Sequence, residues 1–134
     1  MAVSKRQFEA LSDFRMELAE FARFSQESAR LAGITPLQYL LLLHAQGFPD
    51  RDWATVGELT SRLGITPQST VSIVKRCERL GLLSKRKGRT DKRRVEVHAT
   101  ESARTLIEQI AARNIEELKR HAHVFRIEKL ATRR

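Results

Sequence analysis

The sequence predicts a mainly α-helical protein with one small β-hairpin, and three observations support this fold class. Apolar residues recur at intervals of three and four along both ends of the chain, which is the period of an amphipathic helix. In the middle of the chain, helix-start residues alternate with glycines at short intervals, which indicates several short helices. A basic stretch near residue 90 lies beside alternating polar and apolar residues, which is typical of a hairpin. The 134 residues suit a single domain, 1–134, around one core.

The first predicted helix runs from about Ser4 to Ala32 and is stopped by Gly33. Its apolar stripe consists of Phe8, Leu11, Phe14, Leu18, Phe21 and Phe24. The second helix begins with Thr35 as N-cap, followed by a proline, and Gln38 completes a capping box. This helix is apolar nearly all round, so we expect it to be buried. The sequence FPDRDW that follows is rich in turn formers and is predicted to be a loop.

Two short helices occupy the middle of the chain. Thr55 and Glu58 form a capping box at the start of the third helix, which ends at Gly64. Thr66 is the predicted N-cap of the fourth helix, which ends at Gly81. Two short helices joined by such a tight turn indicate a helix-turn-helix.

A hairpin and a final helix complete the chain. The apolar pairs Leu82–Leu83 and Val95-x-Val97 flank a polar tip that contains Gly88, as in two antiparallel strands. Thr100 caps a last helix, which we expect to reach at least Phe125. The apolar side of that helix comprises Leu106, Ile110, Ile115, Leu118, Ala122 and Phe125. A helix-turn-helix followed directly by a basic hairpin is a winged helix.

The chain is strongly basic, with 25 Lys and Arg against 16 Asp and Glu, a net charge of +9 and a sequence pI near 10.6. Such an excess raises the affinity for polyanions, whether nucleic acid or an acidic membrane surface, although it also occurs in merely soluble basic proteins. Seven bases lie between Lys85 and Arg94, with a single carboxylate, Asp91. The apolar run Leu37–Leu43 is far shorter than the roughly 20 residues that cross a bilayer, so we expect no membrane partner.

The fourth helix is the predicted recognition helix, at about 67–80. One side of it is apolar and is expected to face the core: Thr70, Ile73, Val74, Cys77 and Leu80. The other side is polar and basic, and its N-terminal end combines small side chains with free backbone N–H groups that can bind phosphate. Gln68 is the candidate for a bidentate contact to adenine, whereas Lys75 and Arg76 are expected to hold phosphates. The alternative is the solvated face of an ordinary amphipathic helix. The predicted DNA contacts of this helix are Thr66, Gln68, Ser69, Ser72, Lys75 and Arg76.

The two terminal helices are predicted to form a dimer. The winged helix, residues 33–100 with its wing at about 83–98, can make its own core, whereas the helices at 1–32 and 101–134 carry further apolar stripes. We expect these to pair with the same helices of a second chain. Two DNA-binding units would then lie roughly 34–36 Å apart, one turn of DNA. The alternative is that they fold back as a shell over the core. The predicted interface residues are Phe8, Leu11, Phe14, Leu118 and Phe125.

The stretch from Leu59 to Ala103 resembles the DNA-binding region of MarR-family winged-helix transcriptional regulators. The resemblance rests on several short motifs that occur in the family's order. These are Leu59 to Leu63 before the turn, Ser69-Thr70-Val71, Glu78-x-x-Gly81-Leu82, Asp91-x-Arg93, Val97-x-x-Thr100 and, upstream, residues 32–39. The close resemblance covers about Ala32 to Ala103, and the flanking helices match by pattern only. Cys77 and Ala99 depart from the residues common in the family but are tolerable variants of the core. Ser72 stands where many members carry a larger polar side chain, so no base preference is transferred.

The resemblance implies a homodimeric repressor of a pseudo-palindromic double-stranded operator, released by a small, often phenolic, effector. The recognition helix would enter the major groove and the wing the minor groove, with the Asp of the Asp-x-Arg motif positioning the Arg. Here these are Asp91 and Arg93, and the predicted DNA contacts of the wing are Arg89, Lys92, Arg93 and Arg94. In this fold the effector pocket is lined by the first, second and last helices, and Tyr39, His44 and Trp53 are the candidates. The alternative is a ligand-sensing or protein-interaction module of the same fold that no longer binds DNA specifically, which would have a neutralised wing.

Other chemistries are not expected. The only cysteine, Cys77, falls on the apolar side of its helix, where a thiol is usually inert, so neither a disulfide nor oxidation sensing is predicted. His121 and His123 are two residues apart, so on a helix their rings would point apart, and no metal site is expected unless the fold or the dimer creates one. No nucleophile–base pair indicates an enzyme, and no cofactor is implied. Because the first residues lack an apolar signal segment, we expect a cytoplasmic, nucleoid-associated protein.

Overall fold

The computed structural model describes residues 2–125, of which Phe125 is described by its backbone alone. Its elements, in chain order, are α1 (Lys5–Leu31), α2 (Pro36–Gln46), β1 (Trp53–Thr55), α3 (Val56–Leu63), α4 (Pro67–Arg79), β2 (Leu83–Lys87), β3 (Val95–Ala99) and α5 (Glu101–Arg120), followed by a 3₁₀ turn at Ala122–Phe125. The predicted fold class, mainly α with a small hairpin wing, is confirmed. No described helix is long and apolar enough to cross a membrane.

The helix starts are fixed by local side-chain hydrogen bonds. The capping boxes predicted at Thr35 and Thr55 are present, and Ser4 makes a third one with Gln7. Thr66 and Thr100 accept the N3 backbone N–H of α4 and α5, as predicted. The third helix ends at Gly64, which has φ +66°, a left-handed conformation that costs glycine little.

The core lies around α2, as its uniform hydrophobicity predicted. Leu41 and Leu42 are fully buried, and they belong to a hydrophobic cluster to which the other helices and the sheet also contribute side chains. The remaining large members of this cluster are Tyr39, Leu59, Val74, Leu82, Leu83, Val97, Ile107 and Ile110. Burial of each such side chain stabilises the folded state by about 1.5–3 kcal/mol. Because these side chains surround α2, the other elements are positioned against it.

The sheet has three antiparallel strands in the order β1-β3-β2. The wing hairpin pairs β2 with β3 from Leu83↔Ala99 to Lys87↔Val95. Strand β1 also pairs with β3, at Trp53↔His98. This strand was not expected, because the chain before Thr55 was predicted to be a loop. A strand of three residues has no readable period, and it forms here because β3 offers it a pairing edge.

Two expectations for the helices were wrong. The last helix ends at Arg120 instead of reaching Phe125, because His121 leaves the helical path and its ring is buried against the carboxylates of Glu17 and Glu117. Leu80 was expected to face the core but is 49% exposed, since it is the C-cap residue of α4, where the chain turns away.

The terminal helices α1 and α5 contact each other within one chain. Arg113 Nε donates to Ser28 Oγ at 3.2 Å, and Asn114 Nδ2 donates to Ser25 Oγ at 3.1 Å. These contacts join the C-terminal half of α1 to α5, as the shell alternative requires. The N-terminal half of α1 nevertheless keeps apolar side chains exposed, with Phe8 59% accessible.

Candidate nucleic-acid interface

All six residues predicted to contact DNA from α4 have exposed side chains. The hydroxyl of Thr66 accepts the Ser69 N–H at 3.1 Å and donates to Ser69 Oγ at 2.9 Å, so both hydroxyls belong to the helix cap. The described hydrogen bonds include none that fixes the side chains of Gln68, Ser72 or Lys75 to the rest of the protein. The helix therefore presents a polar, basic face with its N-terminus open to solvent, the arrangement that binds phosphates and base edges.

Helices α3 and α4 are linked by a part-buried pair of hydroxyls that sequence patterns did not reveal. Thr60 Oγ1 donates to Thr70 Oγ1 at 2.8 Å, and each of the two hydroxyls also contacts the carbonyl four residues before it in its own helix. Thr70 is fully buried. This link ties the recognition helix to the helix before it.

The wing tip is a tight loop between Lys87 and Val95. Gly88 N–H donates to the carbonyl of Arg94 at 3.0 Å, and Arg94 N–H donates to the carbonyl of Asp91 at 3.1 Å. A Cβ atom on Gly88 would lie only 2.5 Å from the Asp91 carbonyl oxygen, so no side chain fits there. The glycine thus allows the compact tip that brings Asp91 and the basic residues together.

Asp91 holds the side chain of Arg93. The guanidinium donates from Nε to Oδ1 at 3.1 Å and from Nη2 to Oδ2 at 3.3 Å, while the Arg93 backbone N–H also donates to Oδ1 at 3.0 Å. These bonds from Arg93 lower the pKa of the Asp91 carboxyl. The Arg93 side chain is 92% exposed even so, which means that it is oriented but still available.

Arg94 has a different environment from the other basic residues of the wing. Its Nη2 lies 3.5 Å from Thr55 Oγ1 and 3.8 Å from Glu58 Oε2, at the start of α3. Glu58 also accepts from Arg51 Nη2 at 2.6 Å. Burial raises the pKa of Glu58, but the bonds from Arg51 and Thr55 outweigh it and the pKa is lowered. Arg94 therefore links the wing to α3, whereas the side chains of Arg89, Lys92 and Arg93 are exposed at the tip.

A separate ion pair joins the wing to the recognition helix. Lys85 Nζ, on β2, lies 3.3 Å from Glu78 Oε1 on α4. A cleft of about 610 Å³ separates α3 from the wing, and Arg93 and Arg94 line its wing side. The sequence analysis predicted neither feature: the ion pair forms across the turn between α4 and β2, and the cleft lies between segments that are distant along the chain.

The three candidates for an effector pocket lie in different surroundings. Tyr39 is buried, and its hydroxyl accepts from Asn114 Nδ2 at 3.3 Å. His44 is half-buried, and burial, followed by the nearby charge of Arg62, lowers its pKa. Trp53 stacks on His98 in the sheet, at 5.7 Å between ring centroids. The Oδ1 atom of Asn114 is buried without a hydrogen-bond partner among the described residues, a feature that sequence reasoning missed.

The predicted inertness of Cys77 agrees with its position. The side chain is fully buried in α4, and burial raises the pKa of its thiol to about 11. A neutral, enclosed thiol is neither a good nucleophile nor a good metal ligand.

Residues 32–94 match the family model of the MarR family. The structure is similar to that of a MarR family protein from Bacillus stearothermophilus, with a TM-score of 0.75 and 23% identity over 96% of this chain and 89% of that one. It is also similar to AbsC, a MarR family transcriptional regulator from Streptomyces coelicolor, with a TM-score of 0.73 and 14% identity over 97% and 88%. A third similar structure is that of a mutant MarR from E. coli complexed with operator DNA, with a TM-score of 0.65 and 21% identity over 82% and 75%. None of the curated proteins compared with this chain matches it.

Proposed function

We propose that this chain is a sequence-specific double-stranded DNA-binding transcriptional regulator. Its predicted resemblance to the MarR family is confirmed by the family match at residues 32–94 and by the shared fold. The recognition helix α4 would lie in the major groove and the wing in the adjacent minor groove. No catalytic role is proposed, because regulators of this family act by binding DNA.

The observation that carries the proposal is the Asp91–Arg93 pair at the wing tip. An exposed Arg held by a carboxylate has already lost much of the rotamer freedom that insertion into a groove would cost. A carboxylate in this position lowers the net positive charge, so simple attraction to a polyanion does not explain it. It is explained by a guanidinium that must be presented in one direction.

We propose that the chain acts as a homodimer. Phe8, Leu11 and Leu118 are 59%, 49% and 38% exposed on α1 and α5, where a second copy would cover them. Phe14 is half-buried, and the side chain of Phe125 lies outside the described residues. A two-fold dimer formed through these helices would present two recognition helices to one face of the DNA, which requires an operator with inverted half-sites.

We propose that the chain is a repressor and that a small effector releases it from DNA. The buried polar group formed by Tyr39, Ser25 and Asn114 joins α1, α2 and α5, and the unpartnered Asn114 Oδ1 is an acceptor for a donor group. Trp53, in the sheet, is removed from this group. The alternative, a sensing or interaction module without specific DNA binding, is disfavoured by the exposed bases of the wing and of α4. A DNA-binding role would place the protein in the cytoplasm, at the nucleoid.

Selection of bound duplexes from a random pool tests the proposal. We expect the recovered sequences to contain an inverted repeat with half-site centres about 10–10.5 base pairs apart. Sedimentation of the protein with the selected duplex should give two chains per duplex. A pool that stays random after repeated selection would contradict the regulator and would favour the alternative module.

A further inference from the structure

A cluster of carboxylates and imidazoles lies where α1 meets the end of α5. The carboxylate–histidine cluster consists of Glu17 and Glu20 on α1, Glu117 on α5, and His121 and His123 beyond the end of α5. It is remote in sequence from the proposed DNA contacts, and nothing in the proposed function uses it. The imidazole of His121 is only 6% exposed, and the Glu17 side chain is 17% exposed.

The end of α5 is what brings the two histidines together. On a continuous helix, residues two apart point in different directions, but α5 stops at Arg120 and the chain continues as a 3₁₀ turn. As a result, His121 Nδ1 contacts Glu17 Oε1, and His123 Nε2 lies 3.5 Å from Glu17 Oε2. Both imidazoles therefore face the same carboxylate.

We propose that this cluster binds a divalent first-row transition-metal ion such as Zn²⁺, with Glu17, Glu20, His121 and His123 as ligands. Imidazole nitrogen and carboxylate oxygen are the donors that Zn²⁺ takes when no thiolate is present. The donor atoms of Glu17, Glu20 and His121 all lie within 4.8 Å of one another. Ligand atoms around a tetrahedral Zn²⁺ are separated by about 3.3–3.5 Å, so closure onto an ion needs movements of about 1 Å.

Glu117 completes the arrangement from the other side of the His121 ring. Its Oε2 lies 3.0 Å from His121 Nε2, four residues away on the same turn of the chain. An imidazole that binds a metal through one nitrogen usually donates its other N–H to a carboxylate, which fixes the ring and its tautomer. Glu117 fills that position and leaves Nδ1 directed at Glu17 and the proposed ion.

The charge balance of the cluster favours a cation. Three carboxylates meet there in a chain whose net charge is +9, and Glu17 and Glu20 lie one helical turn apart on α1. Within residues 2–125, the basic side chain paired with these carboxylates, other than the two histidines, is Arg120, whose Nη1 is 3.9 Å from Glu117 Oε1 and whose side chain is 79% exposed. A divalent ion would neutralise two of the carboxylates and would tie α1 to the end of α5, the two helices proposed to form the dimer.

The test is a titration of the untagged full chain, stripped of metal by a chelator, with Zn²⁺ in competition with a chromophoric zinc indicator. We expect one Zn²⁺ per chain and a rise in melting temperature on binding. His123→Ala and Glu20→Gln change exposed residues, so both should fold, and each should weaken Zn²⁺ binding by about tenfold or more. Glu27→Gln removes the same charge from an exposed position on α1 outside the cluster and should change the affinity less than about twofold.

Mg²⁺ provides the second arm of the experiment. Because Mg²⁺ binds oxygen ligands and takes imidazole poorly, it should not compete with Zn²⁺ at this site. Equal Zn²⁺ affinity in the parent, His123→Ala and Glu20→Gln would overturn the proposal and would leave the cluster as a hydrogen-bonded contact between two helices. Equal competition by Mg²⁺, or the absence of Zn²⁺ binding, would overturn it as well. None of these results depends on whether the chain binds DNA.

Discussion

Asp91 and Arg93 are joined by a two-point ion pair, with Nε to Oδ1 at 3.1 Å and Nη2 to Oδ2 at 3.3 Å, at the exposed tip of the wing. The pair connects residues only two apart, so it is built into the loop and does not depend on the packing of the core. A side chain held in this way on an otherwise exposed loop is the feature on which the proposed DNA contact rests.

Replacing Asp91 should weaken DNA binding even though it raises the net positive charge. Asp91→Ala frees the Arg93 side chain, whose rotamer entropy opposes insertion by up to roughly 2 kcal/mol, so we expect about a three- to thirtyfold loss of operator affinity. Asp52→Ala adds the same charge near the wing without touching Arg93, and it should leave the affinity unchanged or higher. Fluorescence anisotropy measures both. If Asp91→Ala binds as tightly as Asp52→Ala, Asp91 has no positioning role.

Gly88→Ala should damage the wing while leaving the core intact. The added Cβ meets the Asp91 carbonyl at 2.5 Å, so the loop must shift and the bond from that carbonyl to the Arg94 N–H is strained or lost. Loss of such a bond costs about 0.5–1.5 kcal/mol, and we expect about a two- to tenfold drop in DNA affinity with little change in melting temperature. Gly57→Ala, which meets no atom within 4 Å, is the matched control. Equal affinities for the two variants would show that the tip conformation is irrelevant.

Gln68 and Lys75 should differ in what their loss does to DNA binding. Gln68→Ala should cost about 1–3 kcal/mol on the selected operator and relax the preference at one base pair, because a base-edge contact is removed. Lys75→Ala should weaken binding to all sequences alike and reduce the slope of log affinity against log salt by about one. Binding of each variant to a panel of single-base operator variants separates the two effects. Uniform loss with Gln68→Ala would place that side chain on a phosphate.

Cys77 should be unreactive in the folded protein. With a thiol pKa of about 11, against about 8.5 for an exposed cysteine, the thiolate fraction at pH 8 is lower by roughly two-hundredfold. Ellman's reagent should therefore label the native chain far more slowly than the chain in guanidinium, and the native rate should rise with pH up to about 11. Because Cys77 is the only cysteine in the sequence, the signal has one source. Native labelling as fast as that of the unfolded chain would reopen a sensing role for Cys77.

The parts of the fold that were predicted from the sequence depend on contacts between near neighbours. The capping boxes at Thr35 and Thr55 and the pairing of Asp91 with Arg93 join residues three or two apart, so the sequence displays both partners together. The exposed face of α4 follows from a helical period in the same way. Such local patterns were sufficient to predict the winged helix and the exposed basic side chains on its surface.

Two of the features that were missed join residues far apart in the chain. The contact of Arg94 with Thr55 spans 39 positions, and that of His121 with Glu17 spans 104. The first contact turns Arg94, a predicted DNA contact, toward α3. The second forms where α5 ends earlier than predicted. Neither has a local signal, because each depends on which elements the core brings side by side. On a continuous helix the rings of His121 and His123 would point apart, so a metal site was expected only if the fold or the dimer created one; the helix in fact ends at Arg120.

The most direct test of the proposed function is the salt dependence of binding to the selected operator, compared with a scrambled duplex of the same composition and measured by fluorescence anisotropy. The proposed regulator should bind the operator about 10³-fold or more tightly than the scrambled duplex, and its affinity should fall steeply between about 50 and 200 mM salt. Equal and weak binding to both duplexes at every salt concentration would contradict a sequence-specific DNA-binding function.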